Sequence, residues 1–425
     1  MKKTNLIKTC LGVSAGLLIS ANSYSASISP EAVLNHYADL AQVMYGDALS
    51  TATSLQTAVN HFVATPTEAN MDSAKAAWVA ARHPYQQTEA YRFGNAIVDD
   101  WEGKVNAWPL DEGLIDYVAT SYGAESDENP FYSANIIANT QLTIGGVEVD
   151  ASTIDKAFLS ETLHEIDEVE SNVATGYHAI EFLLWGQDLN GTNAGAGARP
   201  ASDFSVENCS WGNCQRRADY LTAATDLLID DLQWMISQWD TKGDARKAVT
   251  EGASDQALAT IFVGMGSLSY GELAGERMKL GVMLHDPEEE HDCFSDNTHW
   301  SHYNDALGIK NVYTGSYTRV DGSVFSGPSL SDLVRDKSAE IDDLMRAKLA
   351  ATMGKMDAIV SSAKQGTAYD QLLAAGNESG NAMVYAAVDA LVDQTRAIEK
   401  AVNAMNLNAL VFEGSDSLDQ PSVVQ

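Results

Sequence analysis

The sequence predicts an all-α protein in which two related helical bundles are fused and small β-hairpins are inserted in loops. Three observations support this prediction. Apolar residues recur at helical spacing along most of the chain, strand signals are few, and a stretch rich in Gly, Asn and Ala interrupts the helices near the middle. Because 425 residues exceed what one hydrophobic core usually supports, two domains or two fused repeats are expected.

The start of the chain, residues 1–26, is predicted to be an export signal. Early lysines precede a short apolar run from Leu11 to Ile19, and small residues follow it. The apolar run is about half the length that a membrane-spanning helix needs. We therefore expect an exported protein with no transmembrane segment in its mature form.

Long amphipathic helices are the main evidence for the bundles. Their apolar residues follow steps of three, four or seven, which places them on one helix face. These stripes run from Leu34 to Phe62, Leu221 to Trp239, Val334 to Met356 and Val384 to Met405. Hairpins are predicted at 142–149, around Gly145-Gly146, and at 312–325, around Asp321-Gly322.

The stretch rich in Gly and Asn divides the chain into a first half, 27–189, a linker, 190–212, and a second half, 213–412. A disordered tail is predicted for 413–425. Each half is predicted to contain a long helix, a second helix, a long irregular segment and closing helices. The predicted segments are 30–63, 67–94, 95–152 and 153–188, then 213–240, 244–281, 282–328 and 329–411. Irregular segments of this length are usually functional or stabilised by something specific, so both are candidates for residues that carry chemistry.

The composition limits the partners. A formal charge of −33 repels nucleic acid and acidic membrane surfaces and is compatible with attracting cations, although such acidity also serves solubility alone. Cys209 and Cys214 lie in one loop and could form a small disulfide ring in an oxidising compartment. Cys293 is then either a buried thiol or a soft metal ligand.

The sharpest motif runs from Gly176 to Glu181. His178 and Glu181 are three residues apart, so they share a helix face, and their nitrogen and oxygen would make half of a site for a first-row metal. The same spacing also serves a simple hydrogen bond between the two side chains. The apolar surroundings favour the metal site, because an unpaired charge there would be costly.

A second cluster, 81–94, supplies a carboxylate from another helix. Glu89 is the candidate third ligand, whereas Arg92 shares its helix face and could simply neutralise it. Asp100 and Asp111, in the blocks that follow, are possible additional ligands.

The third cluster, 285–302, contains four of the nine histidines and six carboxylates. Imidazole with carboxylate suits iron, zinc, copper or nickel, whereas an oxygen-only set would suggest calcium or magnesium. The acidic run 288–290 is also typical of a solvated loop, and the carboxylates upstream of the cluster could face solvent. The possible additional ligands from this region are Glu272, Glu276, His285, His291, His299 and His302.

Several enzyme signatures are absent from the sequence. There is no His-Glu-x-x-His, no Gly-x-Ser-x-Gly, no phosphate-binding glycine loop and no Cys-x-x-Cys-His. No catalytic residue is assigned.

The pattern Gly176-x-His178-x-x-Glu181 resembles the hallmark of the imelysin family. The blocks 82–89, 98–103 and 107–113, together with 285–302, are similar to the branch named iron-regulated protein A. The resemblance implies two helical bundles with a site between them, export to the periplasm or the outer-membrane surface, and a link to iron. Gly176, His178 and Glu181 match the hallmark, and Glu89 lies in a matching block.

Three functions follow as hypotheses. The first is an exported protein that binds iron, or another transition metal such as zinc, as an ion or a chelate, and passes it to uptake components in the periplasm or outer membrane. The second is a metallopeptidase, as the label of the family implies, although the motif guarantees only two of about three ligands that hydrolytic zinc needs. The third is a non-catalytic scaffold for an outer-surface partner, in which His178 and Glu181 only bond to each other.

Overall fold

The structure is a computed structural model that describes residue 1 and residues 28–127 and 129–424. Apart from Met1, the predicted export signal lies outside the described residues. Helices dominate the described chain, and its strands form two short antiparallel hairpins. The prediction of an all-α fold with small hairpins is therefore confirmed.

The elements follow one another in chain order. The helices are α1 (Pro30–Ala64), α2 (Glu68–Gln86), α3 (Ala96–Asn106), α4 (Glu112–Ile115), α5 (Lys156–Phe158), α6 (Gly176–Trp185), α7 (Cys214–Gln238), α8 (Asp244–Thr250), α9 (Ser254–Ser267), a π-helix (Leu268–Leu280), α10 (Gly281–Leu284), α11 (Thr298–Thr314), α12 (Leu330–Lys337), α13 (Ala339–Lys364), α14 (Tyr369–Leu373), α15 (Glu378–Ala404) and α16 (Asp416–Asp419). The strands are β1 (Gln141–Ile144), β2 (Val147–Asp150), β3 (Ser316–Thr318) and β4 (Val324–Ser326).

Local sequence explains where the first two helices begin and end. The Ser29 hydroxyl accepts a hydrogen bond from the Ala32 backbone N–H at 3.2 Å, and Pro30 follows, so α1 begins where the sequence predicts. The second helix was predicted to reach residue 94 but ends at Gln86. Pro84 removes a backbone donor and crowds the preceding turn, so the helix stops two residues later.

The irregular segments contain more helix than the sequence predicts, and one helical segment contains less. The predicted irregular segment 95–152 includes α3 and α4. In 153–188, where two closing helices are predicted, the main helix is α6. The segment 282–328 contains α11, a helix of 17 residues. Buried polar residues, among them Asn304 and Asp305, interrupt the apolar stripe of α11, so a search for hydrophobic periodicity does not find it.

The helices pack around two hydrophobic cores. The larger core contains α1, α2, α6 and α7, and the smaller one is formed by the π-helix, α13, α14 and α15. Helix α7 follows the 190–212 segment and packs against α1 and α6, so the larger core contains residues from both sides of that segment. The division of the chain into two halves at 190–212 stays a prediction.

The hairpins and the disulfide lie close to their predicted positions. Strands β1 and β2 pair around Gly145-Gly146, and Cys209 is bonded to Cys214. The second hairpin begins at Ser316 instead of 312, because α11 continues to Thr314. Cys293 is a half-buried free thiol.

The C-terminal residues pack against the π-helix. The 413–425 segment was predicted to be disordered, but its described part contains α16, which contacts the π-helix. A Cβ added at Gly275 would lie 2.2 Å from the Cβ of Ser415, so a glycine is required for this contact. The helix Ser254–Leu284 is long and apolar enough to cross a membrane, but 72% of its most apolar window is buried inside the protein, as in any core helix.

Candidate metal centre

Helix α6 carries the hallmark motif through the interior of the protein, and all of its residues are buried. Gly176 begins the helix with a φ of +77°, and a Cβ there would lie 2.4 Å from the Val105 carbonyl oxygen. The hallmark glycine therefore allows α6 to begin directly against α3.

His178 and Glu181 are hydrogen-bonded to each other, with 2.9 Å between Nδ1 and Oε2. The other Glu181 oxygen accepts hydrogen bonds from the Ser295 backbone N–H at 3.0 Å and from its hydroxyl at 2.6 Å. Among the described residues, His178 Nε2 has no hydrogen-bond partner, although the side chain is 1% exposed. Glu181 thus fixes the orientation of an imidazole whose second nitrogen is free.

His291 and Asp292, from the segment before α11, complete a compact group with His178. One ligand atom from each of the three lies within 4.8 Å of the others, and the two imidazole ring centres are 4.8 Å apart. The Asp292 carboxylate accepts hydrogen bonds from Arg82 at 2.9 Å, Asn297 at 2.7 Å and Ser301 at 2.5 Å. These bonds hold the carboxylate in place beside the two imidazoles.

The orientation of His291 depends on Gln86. The Gln86 amide nitrogen lies 3.3 Å from His291 Nδ1, while Gln86 Oε1 and His291 Nε2 have no partner within the described chain. The amide oxygen and nitrogen of glutamine are almost identical in shape. Exchanging them would let Oε1 accept a proton from His291 Nδ1, but the Arg82 guanidinium, which can only donate, also lies 3.3 Å from Nδ1. His291 Nε2 can therefore bind a metal only if Arg82 moves away from Nδ1.

The surroundings keep both imidazoles neutral. Burial, reinforced by the Arg82 guanidinium, lowers the pKa of His178 to about 3, and burial with Arg277 lowers the pKa of His291 well below its usual range. Neutral imidazole is the form that binds a metal. Burial and the nearby Asp292 raise the pKa of Glu181.

Glu89 lies in a separate group of charges around Arg277. The guanidinium of Arg277 donates to Glu89 at 3.0 Å, Glu272 at 2.8 Å and Asp305 at 3.1 Å. We call this group, with Arg92 and Glu102, the Arg277 network. Glu89 and Glu272, both candidate ligands from the sequence, therefore have an arginine as their partner.

Hydrogen bonds connect the two groups of side chains. Arg82, which holds Asp292, also donates to Asn106 at 2.6 Å, and Asn106 donates to Glu102 at 3.0 Å. Arg92 lies 3.5 Å from Glu102. The candidate centre is thus one end of a continuous polar chain through the protein interior.

The other candidate ligands are scattered. Asp100 is exposed on α3, Glu276 is half-buried on the π-helix, and Asp111 accepts hydrogen bonds from loop side chains. His285 bonds through Nδ1 to a backbone carbonyl oxygen at the end of α14, at 2.7 Å. Among the described residues, only His178, His291 and Asp292 bring three ligand atoms within 4.8 Å of one another.

Two further histidines lie on α11. His302 is fully buried, neither of its ring nitrogens has a partner among the described residues, and burial lowers its pKa to about 3. His299 is half-buried, and burial lowers its pKa to about 4. Both are neutral at physiological pH, and neither belongs to the compact group of three.

Sequence reasoning missed the residues that support the site. Asp292 stands beside His291 in the third cluster but is not among the ligands that the sequence predicts, and Arg82, Gln86 and Ser295 are not among the predicted partners. The neighbouring position of Asp292 was the one available signal. The hydrogen bonds of the others join segments more than one hundred residues apart.

Known proteins show similarity over most of this chain. A family model described as imelysin matches residues 41–398. Iron-regulated protein A of Synechococcus elongatus is 24% identical over 333 residues, which cover 76% of this chain and 74% of that protein. The solved structure of a candidate iron-regulated protein A precursor from Parabacteroides distasonis shares the fold, with a TM-score of 0.64 and 19% identity over 90% of this chain and 97% of that chain. Because the family model spans most of the sequence, including His178 and Glu181, the chain belongs to the imelysin family.

Proposed function

We propose that this protein is an exported iron-binding protein and that His178, His291 and Asp292 hold the ion. The observation that carries the proposal is the convergence of two buried imidazoles, each with an Nε2 atom that has no partner in the described chain, on one carboxylate. Buried polar atoms are normally hydrogen-bonded, so imidazole nitrogens without partners beside a buried carboxylate are typical of a ligand site.

In this proposal Glu181 positions His178 and does not contact the ion. A metal-bound histidine usually donates its other ring proton to a carboxylate or carbonyl oxygen, which raises the basicity of the ligand nitrogen. The contact of 2.9 Å between His178 Nδ1 and Glu181 Oε2 has this geometry. The hydrogen bonds from Ser295 then keep the carboxylate in position.

The ligand chemistry and the names of similar proteins both favour iron as the bound metal. Imidazole with carboxylate suits ferrous iron as well as zinc. The relatives described above carry the name iron-regulated protein A. Because the three ligand residues are almost fully buried, the site favours an ion over a chelate or haem. Delivery to uptake components in the periplasm or outer membrane is part of the same proposal.

The test is anaerobic loading with ferrous iron, followed by measurement of the bound metal by mass spectrometry. We expect about one iron per wild-type chain, at least about tenfold weaker binding in His178→Ala and His291→Ala, and a smaller loss in Glu181→Gln. Glu89→Gln should keep its iron, because Glu89 pairs with Arg277. His61→Ala, at an exposed position on α1, is the matched control.

Either of two results would overturn the proposal. Wild-type protein that takes up no iron would favour the scaffold function, particularly if His178→Ala only lowers stability. Iron that survives in both histidine variants would place the site elsewhere. Binding of zinc in place of iron would support the same three ligands but identify zinc as the bound metal.

The peptidase alternative requires more than this site offers. Hydrolytic zinc needs an open coordination position and a general base. Glu181 is fully buried, and both of its oxygens are engaged by His178 and Ser295. Chelator-sensitive cleavage of unfolded polypeptide that disappears in His178→Ala would nevertheless establish that activity.

A further inference from the structure

A second group of carboxylates surrounds a small pocket lined in part by the segment that carries His291. The pocket encloses about 10 Å³, room for about one water-sized sphere, and is lined by residues from α4, from the loop after α6, from the segment before α11 and from α14. We call it the acidic pocket. Its carboxylates belong to Glu112, Asp188, Glu288, Glu290 and Asp370.

Two of these carboxylates are buried without partners. Glu290 is 1% exposed and Asp370 is 2% exposed. Within residues 28–127 and 129–424, none of their four carboxylate oxygens has a hydrogen-bond partner. A buried carboxylate in this situation costs several kcal/mol unless something neutralises it.

The lining of the pocket contains no positive side chain. Besides the carboxylates, it consists of a glycine, a proline, the Cys293 thiol and a phenylalanine. The Thr298 hydroxyl lies near Glu290 and favours its ionised form, but the charges that act on Glu290 come from other carboxylates, namely Asp370, Asp296 and Asp188. Protons or a bound cation are therefore the two ways to neutralise the pocket.

We propose that the acidic pocket binds a hard divalent cation of the calcium and magnesium type, with Glu290 and Asp370 as its principal ligands. Carboxylate oxygens without imidazole are the ligands that these ions prefer, whereas the histidine site suits iron or zinc. The pocket carboxylates do not converge as tightly as His178, His291 and Asp292 do. The cation therefore keeps part of its water shell, as magnesium commonly does.

Such an ion would join four separate segments of the chain. Helices α4 and α14, the loop after α6 and the segment before α11 all contribute a carboxylate. A ligand that binds only the folded state stabilises it in proportion to the logarithm of its concentration. The melting temperature of the protein should therefore rise with the concentration of the cation.

The test is calorimetric titration of chelator-treated full-length protein with calcium chloride and, separately, with magnesium chloride, together with thermal melting. We expect about one ion per chain and a rise in melting temperature of several degrees. Glu290→Gln and Asp370→Asn should each weaken binding by at least about tenfold. Asp321→Asn, which removes an exposed hairpin carboxylate, should bind as the wild type does.

The outcomes separate this site from the iron site. His178→Ala should keep its calcium or magnesium response, because the acidic pocket does not use that residue. The proposal is overturned if neither ion binds at millimolar concentration, or if both carboxylate variants, folded by circular dichroism, bind as tightly as the wild type. It is also overturned if the response disappears in His178→Ala and persists in Glu290→Gln, since the ion would then occupy the histidine site.

Discussion

The Arg277 network and the acidic pocket both collect carboxylates in the protein interior, but they neutralise them differently. In the Arg277 network, one guanidinium contacts Glu89, Glu272 and Asp305. In the acidic pocket, Glu290 and Asp370 have no such partner among the described residues. A buried carboxylate is tolerated when a partner offsets its charge, and Arg277 supplies that partner within the first group.

The comparison shows where this protein can accept a cation from outside. Arginine already fills that role for Glu89, whose carboxylate accepts a hydrogen bond from Arg277 at 3.0 Å. The acidic pocket and the histidine site instead present oxygen and nitrogen atoms without partners in the described chain.

Removal of the central guanidinium should have the largest effect. Arg277→Met leaves the buried carboxylates of Glu89 and Asp305 without their arginine partner, so the free energy of unfolding should fall by about 3–5 kcal/mol. Urea denaturation measures the change. Arg396→Ala, which breaks an exposed pair, is the control and should cost less than about 1 kcal/mol. Equal effects of the two variants would contradict the description of the Arg277 network.

The pH dependence of stability should reveal the excess of carboxylates over arginines in the Arg277 network. Burial and the nearby Glu89 raise the pKa of Glu102 from 4.5 to about 7. The folded protein therefore holds a proton that the unfolded chain has released, and this stabilisation is lost as the pH rises through about 7. Wild-type protein should lose on the order of 1–3 kcal/mol between about pH 5 and pH 8.

Glu102→Gln is the variant for that measurement. It cannot ionise and has nearly the same shape, so its free energy of unfolding should change less over the same pH range. Urea denaturation at several pH values, in the presence of a chelator, compares the two proteins. An identical pH profile would show that Glu102 is already ionised in the folded state.

In the acidic pocket, removing a carboxylate should raise the free energy of unfolding, whereas removing Arg277 lowers it. Glu290→Gln eliminates a buried charge that has no partner in the described chain, so the free energy of unfolding in chelator should increase by about 1 kcal/mol. Thermal unfolding of metal-free protein provides the measurement. A loss of several kcal/mol, like that expected for Arg277→Met, would mean that Glu290 has a stabilising partner.

The smallest effect is expected at the edge of the Arg277 network. Arg92 is 22% exposed and contacts Asp99, Glu102 and Glu272. Water screens a partly exposed pair, so Arg92→Ala should lower the free energy of unfolding by about 1 kcal/mol or less. A cost equal to that of Arg277→Met, measured by the same urea denaturation, would show that exposure does not govern the strength of these pairs.

The sequence predicted the long apolar helices well and the polar interior poorly. Helices α1 and α7 begin and end within about two residues of their predicted limits, because hydrophobic periodicity and end residues define them locally. Helix α11 was missed, since its inward face carries His302 and Asp305 in place of an apolar stripe. Polar burial of this kind depends on partners from distant parts of the chain.

In the candidate site, too, the local geometry could be predicted from the sequence and the contacts between distant segments could not. The spacing of His178 and Glu181 correctly places both on one helix face, where they bond to each other. Their relation to His291 and Asp292 depends on packing between α6 and the segment before α11, which no local pattern encodes. The pairing of Glu89 with Arg277 joins residues 188 positions apart and was equally inaccessible.

The π-helix has a consequence for how the sequence can change. Glu272 and Arg277 bond to each other although they are five residues apart, a separation that matches the hydrogen-bond period of a π-helix and not that of an α-helix. Loss of a single residue between them would restore ordinary helical winding and turn the guanidinium away from its carboxylates. Insertions and deletions should therefore be less tolerated in 268–280 than side-chain replacements on its outer face, and length is the property that natural variation ought to preserve there.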